Sequence, residues 1–324
     1  ETKMLWESKM QSTLEASLLA LGGKDVLSFE QARTDEGAVY YVNSKDGSTM
    51  WDVPTPIKPM QDYLTSFDAL MANMPLSHDY VPLFNPGNLN IFTAHLSSRK
   101  GVETCIVLSL KLLLFVLCSD KQQVPKLYDI NGHTALLSCL ENFSANPAII
   151  ALVTKCWNIC VAADKAAITA LDTHYIGLVV TSLVNHKDHK EMCVGCIKAL
   201  ANATFGSSDR IQSVSDADGI SAIETLMQVY RDDADMLSKV LILLANVAHG
   251  GNELRVQIAD RCGDELILIL FDHNDNYQLS MQAIRAVGIL AFCEHNIARL
   301  IQESATASII KTCRKHSTKH ELVT

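Results

Sequence analysis

Aromatic residues are scarce in this chain: they make up only 6% of its 324 residues, although 48% of the residues are hydrophobic. Leu, Ala, Val and Ile therefore carry most of the apolar content, and such a mixture favours helices packed on helices. Basic residues are also outnumbered, because 27 Lys and Arg stand against 36 Asp and Glu, which gives a formal net charge of −9. A net charge of this sign disfavours a general nucleic-acid-binding surface.

Long apolar runs are absent as well. The longest one, Cys105 to Cys118, is interrupted by Lys111, whereas a transmembrane helix needs about 20 apolar residues. No signal peptide is visible. The ten cysteines lie mostly inside apolar helical runs, which predicts reduced thiols and a cytoplasmic protein. Because the chain begins at Glu1 without a methionine and stops partway through a repeat, we expect it to be part of a longer protein.

The familiar motifs of enzymes are missing too. The sequence has no Gly-rich phosphate loop, no Gly-x-Ser-x-Gly elbow and no His-Glu-x-x-His helix. One cluster, His186, His189, Cys193 and Cys196, has residue types that zinc accepts. The two cysteines are better explained as small buried residues of a helix, and the histidines lie in a polar linker. We therefore predict that the protein is not an enzyme and has no metal and no cofactor.

What the chain does contain is a helix that recurs. Asn158, Asn202 and Asn246 occupy one position in three similar helical segments, and Leu290 takes that position in a fourth. The steps are all 44 residues, and a helical period near 40 to 47 residues indicates an α-solenoid. Each repeat reads as a short first helix, a middle helix often entered at glycine, and a long third helix.

This pattern resembles the armadillo repeat over about residues 100–316. The resemblance implies a mostly α fold, a right-handed α-solenoid of three-helix repeats whose third helices line a concave groove. Where armadillo proteins bind extended peptides, an asparagine late in the third helix often bonds to the peptide backbone, and Asn158, Asn202 and Asn246 match that position. The alternative is that these asparagines support packing between repeats.

Residues 26–54 have a different character. Three short strands are predicted at Ser28–Arg33, Val39–Asn43 and Ser48–Trp51, joined by turns at Glu36-Gly37 and Asp46-Gly47. The stretch resembles a WW domain. The residues that carry the match are Gly37, Tyr40, Tyr41, Asn43, Thr49, Trp51 and Pro54.

The WW resemblance implies a groove between Tyr40 and Trp51, near Thr49, that takes a proline of a partner. Tyr41, Phe29 and Pro54 would then pack together on the opposite face. Phe29 stands where the family has its first signature tryptophan, and Ser44 stands where many members carry a ligand-binding histidine. The alternative is a small sheet docked on the helices, with Trp51 covered.

We therefore predict four segments: an N-terminal helix in residues 1–23, the WW-like module in 26–54, a linker with atypical cap helices in 55–99, and a solenoid in 100–324 that is incomplete at its C-terminus. The predicted function is a protein-binding scaffold or cargo-binding adaptor region, without catalysis, of a larger cytoskeletal protein such as a motor tail or a ciliary adaptor. Its partner would be a protein, with no nucleic acid and no transmembrane segment involved.

Two alternative functions belong to other classes. A formin-like regulatory region would bind a small GTPase. A nuclear transport receptor is disfavoured, because import adaptors of the armadillo family carry a tryptophan four residues before the asparagine, and this chain has Thr154, Lys198 and Ile242 there.

Overall fold

Helices dominate the structure, a computed structural model that describes residues 2–23, 25–72, 89–164, 171–302 and 305–316, with side chains described from residue 8 onward. The chain divides into two compact units, Glu1–Ala170 and Leu171–Thr324. The sequence also predicts a short helix at Lys165–Thr173 and an irregular, proline-containing segment from Pro75 to Gly87. The segment lies outside the described residues, and the helix lies largely outside them. Among the helices that are described, none is both long and apolar enough to cross a membrane.

The first unit contains seven helices within the described residues. They are α1 (Thr2–Leu21), α2 (Lys58–Ala72), α3 (Leu89–Leu96), α4 (Glu103–Ser119), α5 (Gln123–Asp129), α6 (Gly132–Asn142) and α7 (Pro147–Ala163). Helix α1 packs on α2 and α4, with Leu14, Leu18 and Leu21 buried. Each buried leucine contributes about 1.5–3 kcal/mol, so the N-terminal helix docks within its own chain.

A three-stranded antiparallel sheet follows α1. Its strands are β1 (Phe29–Arg33), β2 (Val39–Asn43) and β3 (Thr49–Met50), in the order β1-β2-β3. Gly37 and Gly47 in the two turns have φ of 86° and 73°, values that glycine adopts without strain. The predicted small antiparallel sheet is therefore confirmed.

Strand β1 is anchored to the start of α4. The backbone N–H of Gln31 donates to the carbonyl of Lys100 at 2.9 Å, and the backbone N–H of Glu103 donates to Gln31 Oε1 at 3.1 Å. Val102, which precedes α4, offers no side-chain cap, so Gln31 satisfies an N–H group that the helix leaves unpaired. Arg33 adds an ion pair to Glu103 at 3.2 Å.

The second unit is entirely helical in its described residues. Its helices are α8 (Thr173–Asn185), α9 (Lys190–Thr204), α10 (Ser208–Asp216), α11 (Gly219–Val229), α12 (Ala234–Ala248), α13 (Asn252–Asp272), α14 (Tyr277–Leu290), α15 (Glu294–Gln302) and α16 (Ala305–Lys315). Helix α12 packs against both α9 and α14. Leu237, Val240, Leu241 and Leu244 form the buried stripe of α12, at the spacing that a helix with one core-facing side requires.

Four of the third helices, α7, α9, α12 and α14, start with a capping side chain. Asn146, His189, Asp233 and Asn276 each accept a hydrogen bond from a backbone N–H in the first turn of α7, α9, α12 and α14, respectively. A cap of this kind typically contributes about 1 kcal/mol. Capping explains why these helices begin where the sequence predicts, at Pro147, Lys190, Ala234 and within one residue of Asn276.

One predicted helix break does not occur. The sequence predicts two helices at Asn252–Arg261 and Gly263–Phe271, but α13 runs without interruption from Asn252 to Asp272. Elsewhere the middle helix is entered through Asn131 before Gly132 and Asp218 before Gly219, with φ of 57° and 61°. Asn and Asp tolerate this left-handed conformation, whereas Cys262, which precedes Gly263, does not favour it. A glycine alone costs a helix only about 1 kcal/mol, so the helix continues.

Candidate partner-binding sites

Tyr40 and Trp51 face each other on the exposed side of the sheet. Their ring centroids are 5.6 Å apart with the planes at 57°, and the side chain of Trp51 is 67% exposed. They line a groove of about 420 Å³ together with Thr49, Met50 and residues 33–35. Trp51 is therefore not covered by the helices. The rings of Tyr40 and Trp51 form an apolar groove, and the hydroxyl of Thr49 gives it a polar edge.

The opposite face of the sheet is the one that docks. Tyr41, which points away from Tyr40 because side chains alternate along a strand, lines a cleft of about 620 Å³ with Ile57 and Thr104. Burial raises the pKa of Tyr41, with smaller contributions from Cys105 and Glu103. Phe29 and Pro54 are also buried. Docking through this face holds the Tyr40–Trp51 groove in a fixed orientation on the first unit.

The repeated asparagines lie on the third helices, at unequal depth. Asn158 on α7 and Asn202 on α9 are half-buried, and Asn246 on α12 is 9% exposed. Nδ2 of Asn246 donates to the carbonyl of Ala201 at 3.0 Å, which joins α12 to α9. One amide hydrogen of Asn246 thus holds neighbouring helices together, and the peptide-binding role of the three asparagines stays a prediction.

Sequence reasoning missed the residues that complete this packing. The side chain of Leu290 cannot donate a hydrogen bond as the asparagines do. Instead, Nδ2 of Asn296 on α15 donates to the backbone carbonyls of Leu290 and Arg255, each at 3.0 Å. Arg210 and Arg255 donate through Nε to carbonyls at the ends of α9 and α12, at 2.6 Å and 3.0 Å. Both arginines follow their acceptors by seven residues, and this repeated spacing is the signal that could have revealed them.

A pocket of about 300 Å³ lies at the end of α9 in the second unit. Its lining includes Phe205, Ser207, Asn246, His249 and Arg285. Phe205 is 74% exposed, while Arg285 and His249 are also exposed. The pocket therefore combines the aromatic ring of Phe205, the permanent positive charge of Arg285 and several polar side chains, next to the third helices α9, α12 and α14.

Three of the four side chains considered as zinc ligands have other roles. His189 Nδ1 caps α9 by accepting from the N–H of Met192 at 3.3 Å, and the thiol of Cys193 donates to the carbonyl of Lys187 at 3.4 Å. Cys196 is fully buried beside Met192. Within the part of the chain that the structure describes, no group of three or more His, Cys, Asp or Glu side chains is arranged to hold a metal ion.

Comparison with known proteins gives structural neighbours only. No family model matches the chain, and no curated protein is similar to it in sequence. A designed armadillo repeat protein in complex with the peptide (KR)4 aligns with a TM-score of 0.59 at 19% identity, covering 72% of this chain and 94% of the other. An engineered protein aligns with a TM-score of 0.61 at 19% identity, covering 74% and 92%.

A third neighbour comes from work on a phosphorylation switch that controls the interaction between cadherin and beta-catenin. It aligns with a TM-score of 0.70 at 12% identity over 99% of this chain and 56% of the other. At these identities the likeness establishes the fold. The chain is therefore mostly α, with armadillo-type helical repeats and a small three-stranded antiparallel sheet near its N-terminus.

Proposed function

We propose that this protein is a non-catalytic scaffold or adaptor that binds extended segments of other proteins at two places. The first is the Tyr40–Trp51 groove, which takes a proline-rich segment in the manner of a WW domain. The second is the asparagine-bearing side of the third helices, with Asn202 and Asn246 on the second unit and, separately, Asn158 on α7 of the first unit. The armadillo fold supports a protein-binding role, since a structural neighbour with this fold holds a peptide.

The observation that carries the proposal is the exposed aromatic pair. A solvent-exposed tryptophan with a tyrosine 5.6 Å away is costly to leave in water, and such walls grip a polyproline helix because that helix is already ordered before it binds. Anchoring of the sheet through Gln31 and Arg33 keeps the walls in place. Because both the groove and the polyproline helix are ordered before they meet, the entropic cost of binding is low.

Two sites on one chain favour a partner that carries both kinds of segment. Linking two weak contacts raises the effective concentration of the second contact and strengthens the complex without new interactions. This arrangement suits a cargo-binding or adaptor region of a larger cytoskeletal protein. All ten cysteines are free thiols, which supports a reducing, cytoplasmic location.

Fluorescence anisotropy with labelled proline-rich peptides tests the first site. We expect saturable binding to the wild type and at least about tenfold weaker binding to Tyr40→Ala, since loss of one aromatic wall costs about 1.4 kcal/mol or more. Phe292→Ala is the control, because Phe292 is an exposed aromatic residue on the second unit, outside the Tyr40–Trp51 groove. Binding that is unchanged in Tyr40→Ala, or absent for every peptide in the wild type, would overturn the proposal for this groove.

A further inference from the structure

The third helices of the second unit carry positive charge on a protein whose net charge is −9. Helices α9 and α12 each contain one acidic residue, Glu191 and Asp235, and both lie in the first turn. Helix α14 contains none. The remaining length of these three helices bears Lys198, Lys239 and Arg285 without a carboxylate beside them in sequence.

Two of these cations have no ion-pair partner among the described residues. Lys239 pairs with Asp235, but no ion pair among the described residues involves Lys198 or Arg285, and both side chains are exposed. Lys198 precedes Asn202 by one helical turn, so the two share a side of α9. Because α12 lies between α9 and α14, Lys198 and Arg285 belong to neighbouring parts of one continuous surface.

One of these two cations, Arg285, lines the pocket at the end of α9. Arg285 lines it together with Asn246, His249 and the exposed ring of Phe205. A guanidinium presents paired N–H donors that match the two oxygens of a carboxylate. Nδ2 of Asn246 is already bonded to the carbonyl of Ala201, and its carbonyl oxygen and second hydrogen suit the backbone of an extended peptide.

We propose that this surface, formed by α9, α12 and α14, binds an acidic extended segment of a partner protein, and that one carboxylate of the segment pairs with Arg285. The inference rests on the proposed function of the third-helix surface and names the chemistry of its partner. An apolar side chain next to that carboxylate packs on Phe205. The (KR)4 peptide of the designed neighbour has the opposite charge, so Lys198 and Arg285 repel it.

The test is a peptide-display selection with the Tyr40→Ala chain as bait, which removes binders of the aromatic groove. We expect the selected peptides to be enriched in Asp and Glu over the input library. In anisotropy titrations, Arg285→Glu should then weaken the acidic peptides about tenfold or more, because a carboxylate replaces the paired guanidinium. Arg314→Glu is the matched control, since Arg314 is an exposed arginine on α16, outside the third helices.

The results that would overturn the proposal of an acidic partner segment are specific. Enrichment in Lys and Arg, no charge preference, or acidic peptides that bind Arg285→Glu and Arg314→Glu equally well overturns the inference. If the selected peptides show none of the expected charge preference but bind more weakly to Asn202→Ala than to the wild type, the third-helix surface remains a binding site. Only the proposed charge preference is then wrong. A selection that yields no peptide removes both the inference and the binding role of this surface, while the Tyr40–Trp51 groove is tested separately.

Discussion

Gly219 offers a sharp test of how the repeats are built. It is the first residue of α11, and a Cβ placed on it would lie 2.4 Å from Cγ1 and 2.6 Å from the carbonyl oxygen of Val214. Val214 is fully buried, so neither atom can move aside easily. Overpacking costs about 1–3 kcal/mol, and a backbone contact favours the upper end. Replacing glycine by alanine regains about 0.5–1 kcal/mol, so we expect Gly219→Ala to lower the free energy of unfolding by about 2 kcal/mol.

Urea unfolding followed by far-ultraviolet circular dichroism measures this loss. Gly177→Ala is the matched control, because Gly177 lies inside α8 with no atom within 4 Å of the added Cβ. Alanine there should raise the free energy of unfolding by about 0.5–1 kcal/mol. A Gly219→Ala protein that is as stable as the wild type, or more stable, would refute the close approach between α10 and α11.

Three further predictions follow from individual contacts. Asn246→Ala should lower the free energy of unfolding by about 1 kcal/mol in urea titrations, because it removes the hydrogen bond that Nδ2 donates to the part-buried carbonyl of Ala201. The hydrogen bond from Lys190 lowers the pKa of Asp233 below its ordinary 3.8. The stability that Asp233→Asn removes should therefore be present above pH 3.8 and should disappear as the pH falls through the lower folded-state pKa. Cys118 is exposed and should be alkylated in the native protein before any buried cysteine, as mass spectrometry would detect.

The results that would contradict these three predictions are equally specific. Asn246→Ala with an unchanged urea midpoint would mean that its hydrogen bond does not join α12 to α9. A difference between wild type and Asp233→Asn that grows on acidification would reverse the sign of the linkage. Simultaneous alkylation of Cys118 and Cys156 would contradict the burial of Cys156, whose thiol pKa is raised by that burial.

The helical repeat could be predicted from the sequence because its signals are local. Apolar residues recur at helical spacing, and a capping residue stands before α7, α9, α12 and α14, so that these four helices begin within one residue of the predicted positions. The break at Gly263 was predicted wrongly, since glycine alone does not end a helix. What decides is the preceding residue, which must accept a left-handed backbone, and Asn131 and Asp218 do so where Cys262 does not.

The site could be predicted only in part. The pairing of Tyr40 with Trp51 follows from strand alternation and a two-turn meander, both of which are visible in the sequence. The docking of the Tyr41 face of the sheet depends on contacts between residues about seventy positions apart in the sequence, such as Gln31 and Glu103. No local sequence pattern predicts such contacts. The partner of Asn246 lies 45 residues away for the same reason.

Emission from Trp51 reports directly on whether the Tyr40–Trp51 groove is open and binds proline-rich segments. In a Trp6→Phe, Trp157→Phe variant, Trp51 is the remaining tryptophan of the three in the chain. We expect red-shifted emission that acrylamide quenches readily, and a saturable blue shift with protection from quenching when a proline-rich peptide binds. The shift should be lost in Tyr40→Ala. Emission that is blue-shifted and resistant to quenching in the free protein, and unchanged by every peptide, would mean that Trp51 is covered and that the groove binds no proline-rich segment.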